Sequence, residues 1–219
     1  GLGIPAEPLF RSRSRDLFGW GTSGYNHGAI CYQPWSTSQT YSDYYAYGSY
    51  SYNLYDQTGQ ADWGYNPISN GGNQPNQWRT LTKDEWVYVF NTRSTPSGIR
   101  YAKAQVNGVN GVILLPDDWS NSYYSLISTN DNEASFSDNT ISASEWNSLE
   151  QHGAVFLPAA GDRDGTSLHY VGSLGSYWSV TYYGSTDAYR VYFFDSILSP
   201  ASNHYRVNGL SVRLVCAAQ

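Results

Sequence analysis

The chain has 219 residues, enough for one mixed domain with a sizeable core, and that length excludes a miniprotein. Aromatic residues make up 16% of it, with 21 Tyr and 8 Trp, while charged residues make up only 14%; Tyr, Ser, Asn and Gly therefore take the surface place that Lys and Glu usually hold, which is the contact chemistry of paratopes. A net charge of -6 without a long basic run argues against a nucleic-acid binder, and no apolar run approaches the length of a membrane span, which predicts a soluble chain with no transmembrane segment.

Gly1 opens the sequence and methionine is absent, so the sequence is expected to begin inside a longer product, with membrane anchoring left open. Residues 1–16, with Pro5, Pro8, Arg11, Arg13 and Arg15, show no periodicity. They read as a flexible or partner-bound arm, a polyanion-binding arm being the alternative, ahead of one domain over residues 17–219. Cys31 and Cys216 have no metal-ligand spacing and read as two buried free thiols, with a bridge between them as the alternative. Residues 41–55 are rich in Tyr and Ser, and so many large rings predict an ordered surface insert rather than a linker. Asn66 to Asn76 is a turn-rich connection.

Two helix starts follow. Leu81-Thr82-Lys83-Asp84-Glu85-Trp86 and Ile141-Ser142-Ala143-Ser144-Glu145-Trp146 each place a hydroxyl N-cap behind an apolar residue and a Glu three positions on, a capping box. Trp86, Val89 and Phe90 fall on one face of the first helix, Trp146 and Leu149 on one face of the second, which Gly153 ends. The shared pattern reads as capping logic, with internal duplication as the alternative. Arg100 to Val106 predicts a strand, Asn107-Gly108 a hairpin turn, and Val112 to Leu115 a second strand stopped by Pro116. Val155 to Leu157, Ala188 to Phe194 and Gly209 to Val215 are further strands, the last with Leu210, Val212 and Leu214 on one face. Two helices among short strands predict an α+β fold.

No catalytic constellation emerges. His27, His152, His169 and His204 share no ligand spacing, Asp162-Arg163-Asp164-Gly165 reads as a polar turn, with a calcium-loop fragment or a carboxylate pair as the alternatives, Asp117-Asp118 reads the same way, and no nucleophile elbow or phosphate loop occurs. No metal and no cofactor is therefore expected. Ser176 to Asn208 stands apart: it interleaves small residues with Tyr, Asp, Arg, Phe, Asn and His and lacks Lys, Glu, Gln and Met. It is either an ordinary aromatic antiparallel sheet with its loops or an exposed recognition face.

Trp78-Arg79-Thr80-Leu81-Thr82-Lys83-Asp84-Glu85-Trp86, Asn91-Thr92-Arg93, Leu157-Pro158-Ala159-Ala160-Gly161, Val171 to Ser179 and Gly209-Leu210-Ser211-Val212-Arg213-Leu214-Val215 carry a resemblance. They look like surface proteins of gut Bacteroidetes and their phages that have the C-type lectin-like fold in its formylglycine-generating-enzyme-like form. That family includes the Fibrobacter-type major paralogous domains and the variable proteins diversified by diversity-generating retroelements. The resemblance covers about Leu17 to Val215 and implies two helices packed on short, mostly antiparallel strands. Retroelement diversification turns AAC codons into NNC codons, which cannot encode Lys, Glu, Gln, Met or Trp, and none of these occurs from Ser179 to Val215.

Matched onto the family frame, the fixed positions are Tyr177, Trp178, Ser179, Ala188, Phe193, Pro200, Arg206, Gly209 and Ser211 to Val215. The resemblance implies that the ligand-binding, diversified positions are Tyr182, Tyr183, Asp187, Tyr189, Arg190, Tyr192, Phe194, Ile197, Ser199, Ser202, Asn203, His204, Tyr205, Val207 and Asn208, within a variable region over residues 176–208. Strand alternation independently puts Arg190, Tyr192 and Phe194 on one face, opposite Val191 and Phe193. The family's enzymes use a cysteine pair at the substrate cleft, which Cys31 and Cys216 do not match, so enzyme activity is not expected. Gln74-Pro75-Asn76 resembles a sugar-site tripeptide of calcium-dependent lectins, but it precedes the first helix and no Trp-Asn-Asp follows. The expected role is display of a Tyr-rich surface to a protein or glycan on another cell, from a bacterial surface or phage particle. The alternative is a structural or adhesive surface domain of the same fold without diversification.

Overall fold

The computed structural model describes residues 17–22, 36–44, 53–55, 62 and 78–216. The N-terminal arm, the connection at 66–76, the tripeptide at 74–76, Cys31, His27 and most of the Tyr/Ser insert lie outside these residues.

Strand β1 (Trp78–Thr80) leads into Thr82, whose hydroxyl accepts the Glu85 amide at 3.1 Å while the Glu85 carboxylate accepts the Thr82 amide at 2.8 Å. This reciprocal cap opens α1 (Lys83–Val87), which continues as a π-helical turn over Tyr88–Thr92. Next come β2 (Tyr101–Val106) and β3 (Val109–Leu114), joined through Asn107 at φ 47° and Gly108 at φ 78°. Two successive positive φ angles suit the twist of a tight hairpin, and they explain the Asn-Gly pair.

Strand β4 (Thr140–Ile141) pairs in parallel with β2 and ends at Ser142, the cap of α2 (Ala143–Gln151). Behind that helix Gly153 takes φ 85°, and the Ala154 amide returns to the Leu149 carbonyl at 3.1 Å, so the glycine ends the helix as expected. Strand β5 (Val155–Pro158) then completes a sheet of order β4-β2-β3-β5.

The segment expected as a polar turn is instead a short hairpin of β6 (Asp162–Asp164) and β7 (Ser167–His169). Long-range bonds hold it: the Arg163 amide donates to the Gly209 carbonyl at 2.9 Å, and the Arg163 guanidinium donates to the Leu17 and Gly165 carbonyls. Strands β8 (Gly175–Tyr182), β9 (Asp187–Phe194) and β10 (Ile197–Tyr205) form an antiparallel sheet of order β10-β9-β8. Gly209 to Val215 is not one strand. Its first part makes single bridges to Arg163, Phe18 and Tyr177, and only then does β11 (Leu214–Cys216) pair antiparallel with β1. Leu210 is buried and Val212 packs in the same cluster, whereas Leu214 has left that face for β1. Cys216 carries a free, half-buried thiol.

The fold is therefore α+β, mostly β, with two short helices on mostly antiparallel strands. Helix α2 lays Trp146 and Leu149 on Ala102, Val106, Ile113 and Phe156 of the four-stranded sheet. A second cluster joins the two larger sheets: Trp86 and Phe90 from the first helix meet Tyr101, Val112 and Leu157 on one side and Tyr177, Val191, Phe193 and Leu198 on the other. A third, with Trp20, Leu54, Trp178, Val180, Ala188 and Leu210, covers the opposite face of the three-stranded sheet near one end. Lys103 crosses between the sheets. Its Nζ, fully buried, donates to the Asn132 and Asp195 carbonyls at 2.8 and 2.9 Å, and burial pushes its pKa down to about 8. The expected insert contributes where it is described: Tyr44 and Leu54 are buried, and Tyr44 occupies the space that a side chain at Gly19 would need.

Candidate recognition face

Strand β9 is the central strand of the three-stranded sheet, and its alternation is uninterrupted. Val191 and Phe193 point into the cluster shared with α1 and are fully buried. Tyr192 and Phe194 point the other way and are partly exposed. Side-chain contacts agree with this: the Arg190 guanidinium lies 4.5 Å from the Tyr192 ring centre, and Tyr192 meets Phe194 edge-on at 5.4 Å. Cross-strand pairing adds Ser199 opposite Tyr192, Ile197 opposite Phe194, Ser202 opposite Arg190 and His204 opposite Ala188 on this same face.

The other sequence-predicted positions divide from these. Tyr189 pairs with Asn203, and Asp187 with Tyr205, on the α1 side of the sheet. There Tyr183 meets Tyr189 edge-on at 5.2 Å, and the Lys83 ammonium lies 5.5 Å from the Tyr189 ring. Tyr182 is half-buried beside the third cluster, its amide donating to Asn53 Oδ1 at 3.1 Å. Thirteen of the fifteen positions thus form two groups on opposite faces, with Tyr182, paired to Ala188, on the face of Arg190, because both bulges fall in the outer strands, between Ser199 and Ser202 and between Trp178 and Tyr182, and leave β9 in register.

Three of the fifteen lie beneath the surface: Arg190 at 8% exposure, Val207 at 5% and Asn208 at 8%. Past Tyr205 the chain turns back toward β8, which presses Val207 onto Tyr44 and sets Asn208 Nδ2 3.0 Å from His204 Nε2. Direct contact with a ligand on a flat surface is closed to Val207 and Asn208 by this turn. His204 Nε2 also lies 3.5 Å from Asp162 Oδ2.

Eight of the family-frame residues occupy the interior, while Ser211 to Val215 are half-buried. Tyr177, Trp178, Ser179, Ala188, Phe193, Pro200, Arg206 and Gly209 are all buried. Tyr177 donates its hydroxyl to the Pro158 carbonyl at 2.8 Å, and burial pushes its pKa up. The Trp178 indole donates to the Phe18 carbonyl at 2.7 Å, and the Trp20 indole donates to Ser179 O at 2.8 Å. These bonds fix the backbone that carries the exposed rings.

One exposed ring at the face was missed in the sequence. Tyr170 is 62% exposed and meets Phe194 edge-on at 5.7 Å, with its own backbone at φ 54°, a conformation bulky residues seldom adopt. The signal was a Leu-His-Tyr-Val run between turn glycines, too short for any period. His152, at the C-terminal end of α2, stacks on Tyr123 at 3.8 Å, and no group of three metal-ligating side chains occurs among the described residues.

A family model described as a domain of unknown function (DUF8237) matches residues 123–215, a span that contains α2 and the whole three-stranded sheet. No curated protein and no solved structure matches the chain. Among the described residues no helix is long and apolar enough to cross a membrane.

Proposed function

We propose that the chain is a non-enzymatic ligand-binding protein with a C-type lectin-like scaffold, whose C-terminal region displays a retroelement-diversified, Tyr-rich surface on a bacterial cell or phage particle. The observation that carries this reading is the coincidence of two independent divisions. Eight of the thirteen positions that the resemblance marks as fixed are buried and the other five, Ser211 to Val215, are half-buried, whereas twelve of the fifteen that it marks as diversified keep at least partial exposure. Such a partition lets exposed side chains change at little cost to stability, because large losses come from cavities and orphaned polar groups in cores. The α+β layout, with two capped helices on antiparallel strands, supports the scaffold. Affinity would come from a few rings such as Tyr192 and Phe194, with Ser199 and Ser202 as adaptable polar neighbours.

Sequencing around the gene tests the reading. A reverse transcriptase and a template repeat nearly identical to the codons for residues 176–208, with mismatches confined to template adenines, are the expected result. Absence of both would overturn diversification and leave a non-diversified adhesive module.

A further inference from the structure

Arg190 is a buried cation with too few partners. Its Nη1 donates to Ser176 Oγ at 2.9 Å, its face covers Tyr192, and its Nε is buried without any hydrogen-bond acceptor among the described residues. No carboxylate lies within 4.0 Å of it among those residues. Asp162, a carboxylate whose charge acts on it after the Tyr192 ring, lies 3.5 Å from His204 Nε2 instead. Desolvation consequently pushes the Arg190 pKa down to about 10. Compare Arg206 and Arg163, which are also buried but whose guanidinium groups donate to two backbone carbonyls each. A guanidinium presents five donors and is costly to bury unless they are met.

We propose that Arg190 is an anchoring site for a carboxylate of an acidic polypeptide segment that lies across Tyr192 and Phe194. This rests on the binding role proposed above and narrows its ligand class. Arg190 is 8% exposed and its Nε is closed to solvent, so an incoming carboxylate oxygen would accept a charge-assisted hydrogen bond from an Nη donor. Its surroundings select the source: Ile197 pairs with Phe194 and is 45% exposed, Tyr170 covers the other side of Phe194, and Val171 beside it is 38% exposed. Such an apolar border accepts an aromatic or aliphatic side chain beside the acid, whereas the hydroxyls of an acidic sugar would lose water against it without gaining partners. The chain's charge of -6 also suppresses indiscriminate adhesion of polyanions, so an acidic partner has to be held by a local site.

The test titrates the described domain, in its full chain, with three soluble probes: a random Glu/Tyr copolymer, a random Lys/Tyr copolymer and polygalacturonate. The Glu/Tyr copolymer is expected to bind, and R190M, which keeps the stacking on Tyr192 without the charge, is expected to weaken it at least tenfold while leaving the melting midpoint equal or higher. Equal binding to R190M, or no binding of the Glu/Tyr copolymer, would overturn the anchor. Stronger binding of polygalacturonate would overturn the polypeptide assignment, and preference for the Lys/Tyr copolymer would overturn the charge assignment. A lower midpoint for R190M would give Arg190 a structural role and likewise overturn it. None of these failures touches the template-repeat test, so the broader binding role stands or falls separately.

Discussion

Trp86→Ala is expected to remove about 3–5 kcal/mol of stability, a large share of the roughly 5–15 kcal/mol that holds a domain together. The side chain is fully buried, stacks on Phe90 at 6.0 Å, and sends its indole N–H toward the Trp178 carbonyl at 3.4 Å. More than its size matters. Trp86 belongs to the cluster that includes Tyr101 and Leu157 of one sheet and Val191 and Phe193 of the other, so a cavity there loosens the support behind β9. Chemical denaturation followed by tryptophan fluorescence and by circular dichroism should show a lower midpoint in both signals. A loss below about 1 kcal/mol would mean that the two sheets do not depend on this helix.

Adjacent residues supply the second large effect. Phe193→Ala is expected to cost about 3–5 kcal/mol and Phe194→Ala only about 1 kcal/mol, although the same atoms are removed. Phe193 is fully buried, lies parallel to Tyr177 at 6.2 Å and meets Phe136 edge-on at 6.2 Å. Its ring also fills the space a side chain at Gly175 would take, which explains glycine at the start of β8. Among the described residues, Phe194 has Tyr192 and Tyr170 as its ring neighbours and is only half-buried. Paired denaturation curves measure the difference. Equal losses would show that β9 does not separate an inner from an outer face.

Local chemistry made part of this fold legible in the sequence. Thr82 with Glu85, Ser142 with Glu145, and Asn107-Gly108 act within a few residues, so their outcomes are fixed before distant parts of the chain arrive. Alternation along β9 was legible for the same reason, and it placed Arg190, Tyr192 and Phe194 together. What escaped depends on distant partners. The β6–β7 hairpin has three-residue strands, the first of them charged, that are held by bonds to Leu17 and Gly209, and nothing in Asp162-Arg163-Asp164 reports those bonds. Pro200 lies within the β10 bulge, where a missing N–H costs no ladder bond, but the bulge itself could not be seen. The burial of Val207 and Asn208 follows from the return of the chain toward β8, and the exposure of Tyr170 follows from a turn. The candidate face was therefore readable strand by strand, while its division between two sides of a sheet was not.

The separation of a rigid frame from a changeable face is tested most directly by a displayed library randomised together at Tyr192, Phe194, Ile197, Ser199 and Ser202, with melting midpoints measured for unselected members and binders then selected against an unrelated protein. Most unselected members should melt cooperatively within a few degrees of the parent, as surface changes usually cost within about 0.5 kcal/mol each, and selection should return distinct sequences at these five positions. A library that is mostly unfolded, or one that folds but yields binders no more often than a library randomised at five exposed positions around α2, would contradict the account.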